Sequence, residues 1–326
     1  MKIHNKILKI LGDNKGEYVS GEELANSCGV TRAYIWKVIK ILREQGYKIN
    51  AATNKGYSLE IFNDVLSVDE IKKNLSHNSK ISRVICLDSV DSTNNYAKNL
   101  ALNGAAHGTL ITSNEQTAGR GRRGHFFESP AGTGLYMSLI LRPSVDISQF
   151  QMITIADAVA VCFAIEDLYK GSKGQLKIKW VNDIFFHEKK ITGILTEAVT
   201  NFESGEIESV VTGIGINIST KNFSEQAGIT AGSIFSDGEF LFSRSELCAR
   251  IADYVMDFAE NLSDKKLINA YRERSLLTGK KITFMKNNEE HSAFVEGIDD
   301  TGGLMIINED GGKEILRSGE VFSVRS

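Results

Sequence analysis

Pairs of cysteines close in sequence are missing from this 326-residue chain. Cys28, Cys86, Cys162 and Cys248 stand far apart, with no CxxC among them. That excludes a disulfide framework and a cysteine zinc site, and it suits a reducing cytoplasm. The six histidines are equally scattered and leave no His-rich metal site. No apolar run approaches the ~20 residues that span a bilayer, so no membrane partner is expected. The opening Met1-Lys-Ile-His-Asn-Lys is polar and amphipathic, unlike a signal peptide. GxxxxGK[ST], GxSxG and the kinase catalytic-loop and DFG motifs are all absent. Walker-type NTPases, serine hydrolases with a nucleophile elbow and protein kinases are thereby excluded.

What is present is ordinary globular material, 42% apolar and 24% charged, long enough for two or three domains. The net charge of −3 hides an asymmetry. Residues 1–60 carry a balance of +4 and the remainder −7. A basic module ahead of an acidic body suggests nucleic acid at one end and different work at the other.

The first sixty residues read as a winged helix-turn-helix. An amphipathic segment runs from His4 to about Gly12. Ser20-Gly-Glu-Glu23 is a capping box that opens a short helix ending near Cys28-Gly29. Thr31 caps a second helix, in which Ile35, Val38, Ile39 and Leu42 fall at helical spacing. Its flank carries Arg32, Trp36, Lys37, Lys40 and Arg43, and residues 31–48 hold five Lys/Arg against one Glu. Tyr47–Ala51 and Gly56–Leu59 then form a hairpin with Lys55 near its tip as a wing. Insertion of the second helix in the major groove of double-stranded DNA is expected, with Thr31, Arg32, Trp36, Lys37, Lys40 and Lys55 as the contacts. Winged helices also serve as protein-interaction modules, and a solvated basic face is the plainer alternative.

The centre holds Gly119-Arg-Gly-Arg-Arg-Gly124, a run built to approach and hold an anion. It formally matches the dinucleotide fingerprint GxGxxG. However, Phe127-Glu-Ser-Pro-Ala-Gly-Thr-Gly134 follows, which cannot open the helix that fingerprint requires. Upstream, Asp91-Ser92-Thr93-Asn94 precedes a helix through Leu102, as a ligand site or as plain N-capping. Downstream come the strand Leu135–Leu141 and an amphipathic helix from about Phe150 to Tyr169. The strands Leu176–Trp180, Asp183–Phe186, Ile191–Ala198 and Glu208–Asn217 follow.

Ser92-Thr93-Asn94, Gln116 with the arginine-glycine run, Lys179-Trp-Val-Asn-Asp183, Lys190-Ile-Thr-Gly-Ile-Leu195 and Gly213-Ile-Gly-Ile-Asn217 resemble, in this order, the motifs of biotin protein ligases. With the winged helix in front, the chain resembles the bifunctional ligase-repressor form of that family over nearly its whole length. The resemblance implies an α+β multidomain fold. A winged helix would occupy 1–62, a mixed α/β catalytic domain of the biotin/lipoate ligase type 67–275, and an SH3-like β-barrel 276–326. Two departures stand out. Val181 replaces the family's usual proline in KWPND, and Phe127 its usual tryptophan.

The resemblance further implies an ATP-dependent ligase that forms biotinyl-5'-AMP and transfers biotin to a lysine of a biotin carboxyl carrier protein. Two anions must meet in the first step, so positive charge must surround them. Arg120, Arg122 and Lys190 are the candidates, with Mg²⁺ on the phosphates and Asp183 as the carboxylate for that metal or for acceptor deprotonation. By the same resemblance Ser92, Thr93, Asn94, Gln116, Arg120, Gly121, Arg122, Trp180, Lys190 and Gly193 hold biotin. Arg122, Arg123, Phe127, Asn182, Asn217 and Arg325 hold the nucleotide. Each has a bland alternative alone: Trp180 as core, Asn182-Asp183 as turn formers, Lys190 as a solvated hairpin lysine. Their joint occurrence in family order favours the functional reading. The expected regulatory form is a homodimer, adenylate-bound, on operator DNA of biotin genes. A repressor without ligase activity and a lipoate or octanoate ligase are the competing functions.

Overall fold

A computed structural model describes residues 3–142, 150–200, 207–225, 230–236, 240–286, 289–319 and 321–325, with 322–325 as backbone only. The N-terminal region contains α1 (Ile3–Asp13), α2 (Gly21–Cys28), α3 (Arg32–Glu44), β1 (Ile49–Ala52) and β2 (Gly56–Leu59). Both expected caps form: Ser20 Oγ accepts from Glu23 N at 3.0 Å, and Thr31 Oγ1 from Tyr34 N at 3.3 Å. Ile35, Val38, Ile39 and Leu42 bury one stripe of α3 against Ile7, Leu11 and Leu24. At the wing, Gly56 has φ +104°, and a Cβ there would strike the Val19 carbonyl. The hairpin β1–β2 is thereby seated on the helices, with Val19 bridging Tyr57.

The central region comprises α4 (Val68–Asn74), β3 (Arg83–Leu87), α5 (Thr93–Leu102), β4 (Thr109–Ser113), β5 (Gly134–Leu141) and α6 (Phe150–Leu168). It continues through β6 (Lys177–Lys179), β7 (Asp183–Phe186), β8 (Lys189–Thr200), β9 (Ile207–Asn217), α7 (Arg244–Ala259) and α8 (Lys265–Glu273). Its seven strands run β3-β4-β5-β9-β8-β7-β6, and only β3 and β4 pair in parallel. Neighbours on a strand point to opposite faces. Leu110 and Leu139 therefore join the cluster under α6 and α7, while Ile111 and Ile140 meet Ala97 and Ala101 of α5. α6 is buried nearly all round and not amphipathic as expected, because its apolar residues cover every face and α7, α8 and the sheet pack around it.

The C-terminal strands β10 (Lys281–Lys286), β11 (Glu289–Ile298), β12 (Leu304–Asn308), β13 (Lys313–Leu316) and β14 (Val321–Arg325) form an antiparallel sheet in the order β13-β12-β11-β10-β14. That sheet is consistent with the expected small barrel. Its buried Ile282, Val295, Leu304 and Ile306 belong to the same apolar cluster as α6 and the central sheet, whereas the N-terminal core is separate. The arginine-glycine run itself ends in a single 3₁₀ turn, Arg122–Gly124, and no helix lies between it and β5. The dinucleotide fingerprint therefore lacks its helix, as the sequence required.

Candidate active site and nucleic-acid interface

Residues 116–129 fold back on themselves between the tip of β4 and the start of β5. Gln116 bridges Ser129 and Arg120 bridges Phe126, with Gly121 N donating to His125 O at 2.7 Å. The glycines here serve differently from one another. A Cβ on Gly119 would strike the Phe127 carbonyl, so that position needs close approach. Only Gly124, at φ +81°, uses the left-handed region, and Arg123 joins it at φ +54°.

The loop stands over a cavity of about 200 Å³ lined by Arg122, Arg123, His125, Lys179, Lys190, Trp180, Asn182, Asp183 and Gly193. Asp183 is the only carboxylate lining it among the described residues. It faces Lys190 Nζ at 2.7 Å, an ion pair outside aligned hydrogen-bond geometry, since Asp183 Oδ1 has no hydrogen-bond partner. Antiparallel pairing of β7 with β8 sets that pair. Arg122 Nη1 donates to Asn182 Oδ1 at 3.1 Å, and Asn182 Nδ2 to the Ile194 carbonyl at 3.0 Å. Asn217, at the end of β9, has a buried Oδ1 with no partner. An orphaned buried acceptor costs about 1–3 kcal/mol, a cost a bound donor would remove.

Beside the cavity lies a buried polar chain. Ser92 occupies the N-cap of α5 yet makes no capping bond, unlike Ser20, Thr31, Ser67 and Ser243 at their helices. Plain capping therefore does not account for it. Thr93 N and Oγ1 donate to Gln116 Oε1 at 2.8 and 3.1 Å, and Gln116 Nε2 donates to Ser129 Oγ at 2.8 Å. Ser138 Oγ donates to Asn94 Oδ1 at 2.6 Å. Asn94 Nδ2 donates to Glu197 Oε2 at 2.9 Å, and Lys98 Nζ meets the other oxygen at 2.8 Å. Burial alone would raise the Glu197 carboxyl, but the bonds from Lys98 and Asn94 more than offset it and hold it below the usual range. Gly213 leaves room for the Asn94 amide, and Gly193 and Gly215 leave room for the ring of Phe127.

The structure thus brings together Arg122, Arg123, Phe127, Trp180, Asn182, Asp183, Lys190, Gly121 and Gly193 at one cavity, with Ser92, Thr93, Asn94 and Gln116 alongside. Arg120 is placed differently. It is exposed and donates to Asn95 Oδ1 at 2.9 Å on α5, away from the cavity lining. The side chain of Arg325 lies outside the described residues. Sequence reading missed Ser129, Ser138, Glu197 and Lys98. Ser138 alone carried a signal, as a polar residue inside the buried apolar run Gly134–Leu141.

The second candidate surface is on α3. Arg32, Trp36, Lys37, Lys40 and Thr31 are exposed, with Trp36 at 58%. Arg32 and Lys55 face one another across a groove between the start of α3 and the wing. Lys55 Nζ sits 5.9 Å from the Tyr18 ring centroid. Arg43 is committed elsewhere: its Nε donates to the Ile49 carbonyl at 2.7 Å and ties α3 to β1.

Comparisons with known proteins agree with this layout. Residues 86–217 match the Biotin/lipoate A/B protein ligase family and residues 4–58 an HTH domain. The bifunctional ligase/repressor BirA of Bacillus subtilis is 32% identical, covering 96% of each chain. That of Escherichia coli is 27% identical, covering 97% of each chain. Among solved structures, the biotin protein ligase from Aquifex aeolicus in complex with biotin and ATP superimposes with a TM-score of 0.61 at 26% identity. It covers 75% of this chain and 99% of its own. With identity above 30% along almost its entire length, the chain belongs to the biotin protein ligase family in its bifunctional ligase/repressor form.

Proposed function

We propose that the chain joins the carboxylate of biotin to ATP, passes the acyl group to a lysine of a biotin carboxyl carrier protein, and represses biotin genes by binding operator DNA. The observation that carries the catalytic part is the single cavity where Arg122, Arg123, Lys179 and Lys190 meet one carboxylate. Such a lining favours the approach of two anions that otherwise repel.

In the first step a biotin carboxylate oxygen bonds the α-phosphorus and the bond to pyrophosphate breaks. Arg122 and Lys190 stabilise the charge gathering there. Asn182 and Asn217, the latter with its unpaired oxygen, face the nucleotide, and Ser92, Thr93, Asn94 and Gln116 hold the ureido ring. Mg²⁺ would be held by the ATP phosphates and the one lining carboxylate, Asp183, and would neutralise phosphate charge there. In the second step the acceptor amine bonds the carbonyl carbon, AMP leaves, and the amine loses its proton. The loop 116–129 keeps water from the mixed anhydride between the two steps. Arg120, on the outer side of the loop, joins once the loop closes on ligand. The four free cysteines and the absence, among the described residues, of any helix long and apolar enough to cross a membrane fit work in the cytoplasm.

On DNA, α3 enters the major groove while Lys37, Lys40 and Lys55 neutralise phosphates. The adenylate-loaded form acts as a homodimer, matching a two-fold operator.

One experiment tests the ligase reading: protein, ATP, Mg²⁺, an apo carrier domain and either biotin or lipoate, followed by weighing the carrier. A biotin-sized mass gain is expected. A gain with lipoate alone, or none, overturns the assignment. Gel-shift titration with and without biotin plus ATP tests repression, and equal DNA affinity in both conditions would sink the corepressor role.

A further inference from the structure

The corner Trp180-Val-Asn-Asp183, which supplies Trp180, Asn182 and Asp183 to the cavity's lining, is held from outside by two elements distant in sequence. Trp180 is 4% exposed, and its Nε1 donates to the Gly302 carbonyl at 2.9 Å. Gln151 Nε2, at the start of α6, donates to the same carbonyl at 2.7 Å, using both of its lone pairs. Gly302 sits in the β11–β12 turn at φ +85°, where a Cβ would strike Ile155. The turn is braced by Asp299, whose Oδ1 accepts from Thr301 N at 2.9 Å and Gly303 N at 2.7 Å while Oδ2 faces Arg317 at 2.8 Å. One residue past Trp180, the fully buried Tyr271 of α8 donates its hydroxyl to the Val181 carbonyl at 3.1 Å.

We infer that the Asp299–Gly303 turn and Tyr271 are separate positioning devices for the two ends of this corner, the turn setting Trp180 and Tyr271 setting Asn182-Asp183. This rests on the ligase reading, in which Trp180 borders biotin and Asn182 the nucleotide. The two handles pull on different substrates. Loosening the turn lets the indole drift and weakens the acid subsite. Removing the Tyr271 hydroxyl frees the Val181 carbonyl and lets Asn182, and Arg122 bonded to it, drift from the nucleotide. A displacement well below a bond length is enough to matter in a preorganised site.

The test compares Asp299→Ala, Asp299→Asn and Tyr271→Phe with wild type in carrier biotinylation, varying biotin and ATP separately, with a thermal melt on each. Asp299→Ala should raise KM for biotin roughly threefold to tenfold, with KM for ATP little changed. Asp299→Asn, which keeps one acceptor oxygen, should recover most of that loss. Tyr271→Phe should show the reverse pattern, with the rise in KM for ATP. In a Trp36→Phe background Trp180 is the only tryptophan, and Asp299→Ala should alter its emission change on adding biotin. Lowered melting temperatures with both KM values unchanged, or raised together in both variants, would overturn the positioning roles. Absence of turnover in wild type would instead sink the ligase reading, and the inference with it.

Discussion

The two ends of the chain attach to the central sheet in opposite ways. The N-terminal region closes its own core, in which Ile7, Leu11, Leu24, Ile35, Ile39 and Leu42 touch one another and not the sheet. Its connection runs mainly through polar contacts, Asp64 with the Arg244 backbone N–H at 2.8 Å and Nε at 2.7 Å, and Ser245 Oγ with the Val65 carbonyl at 2.7 Å, beside one stacked ring pair, Phe62 with Phe240. The C-terminal sheet has no core apart from the centre. Ile282, Val295 and Leu304 pack into the cluster that includes α6, and the Gly302 turn reaches Trp180 at the cavity. Apolar burial is cooperative and non-directional, whereas a few hydrogen bonds can be remade in another geometry. The first arrangement suits a reader of DNA that must answer to a distant site, and the second suits a wall of the site.

Cutting the chain breaks this contrast most severely. Removal of residues 281–326 should abolish the cooperative melt of the centre, because it strips cover from Trp180 and Ile155. Removal of residues 1–62 should leave a cooperative unit, and calorimetry on both distinguishes them. If the N-terminal cut is the more damaging, the contrast is wrong.

Asp64→Ala comes next. Arg244 would keep Asn114 at 2.8 Å but lose its counter-charge while its side chain is only 7% exposed. A cost of about 3 kcal/mol is expected, since a buried cation is left uncompensated. Denaturant melts would measure it, and a loss below about 0.5 kcal/mol would mean the junction is effectively solvated.

A smaller effect is expected from Asp157, fully buried in α6 and bonded by Thr212, with burial pushing its carboxyl up to about 7. The folded protein retains this proton where the unfolded chain has released it. Stability therefore falls as pH rises from about 4 to 7 and levels off above. Asp157→Asn should flatten that slope and stabilise the shared core at pH 8 by on the order of 2 kcal/mol. Melts at pH 5 and 8 would show it, and an unchanged slope would place the titration elsewhere.

The smallest effect concerns the independent end. Lys37→Ala should weaken DNA binding uniformly across sequences and reduce the salt slope by about one, with carrier biotinylation unchanged. A loss confined to one base position would mean that Lys37 reads a base.

Much of the molecule was legible because its signals are local. The Ser20 and Thr31 caps, the apolar stripe of α3 and the strand on either side of Asn182 depend on neighbours a few residues away. The residues around the cavity were legible only as an ordered set of motifs. Arg120 shows the limit of that reading: strand-like alternation would give residues two apart a common face, but the 3₁₀ turn that begins at Arg122 turns the two side chains apart, one to Asn95 and one to Asn182. Ser138 with Asn94, Asp64 with Arg244 and Trp180 with Gly302 are separated by 44, 180 and 122 residues, and no periodicity encodes such pairs.

By itself the sequence determined the element types as far as β9, the basic recognition helix, the rejection of a dinucleotide loop and the family, but it left α7 and α8 unread. Those follow from caps, periods and fixed spacings, which act through short stretches of backbone. Only the tertiary structure decided which arginines line the cavity, that Ser92 makes no capping bond, and that the C-terminal sheet shares the catalytic core. Those outcomes depend on which faces meet when apolar surface is buried, and that is a property of the whole packed chain.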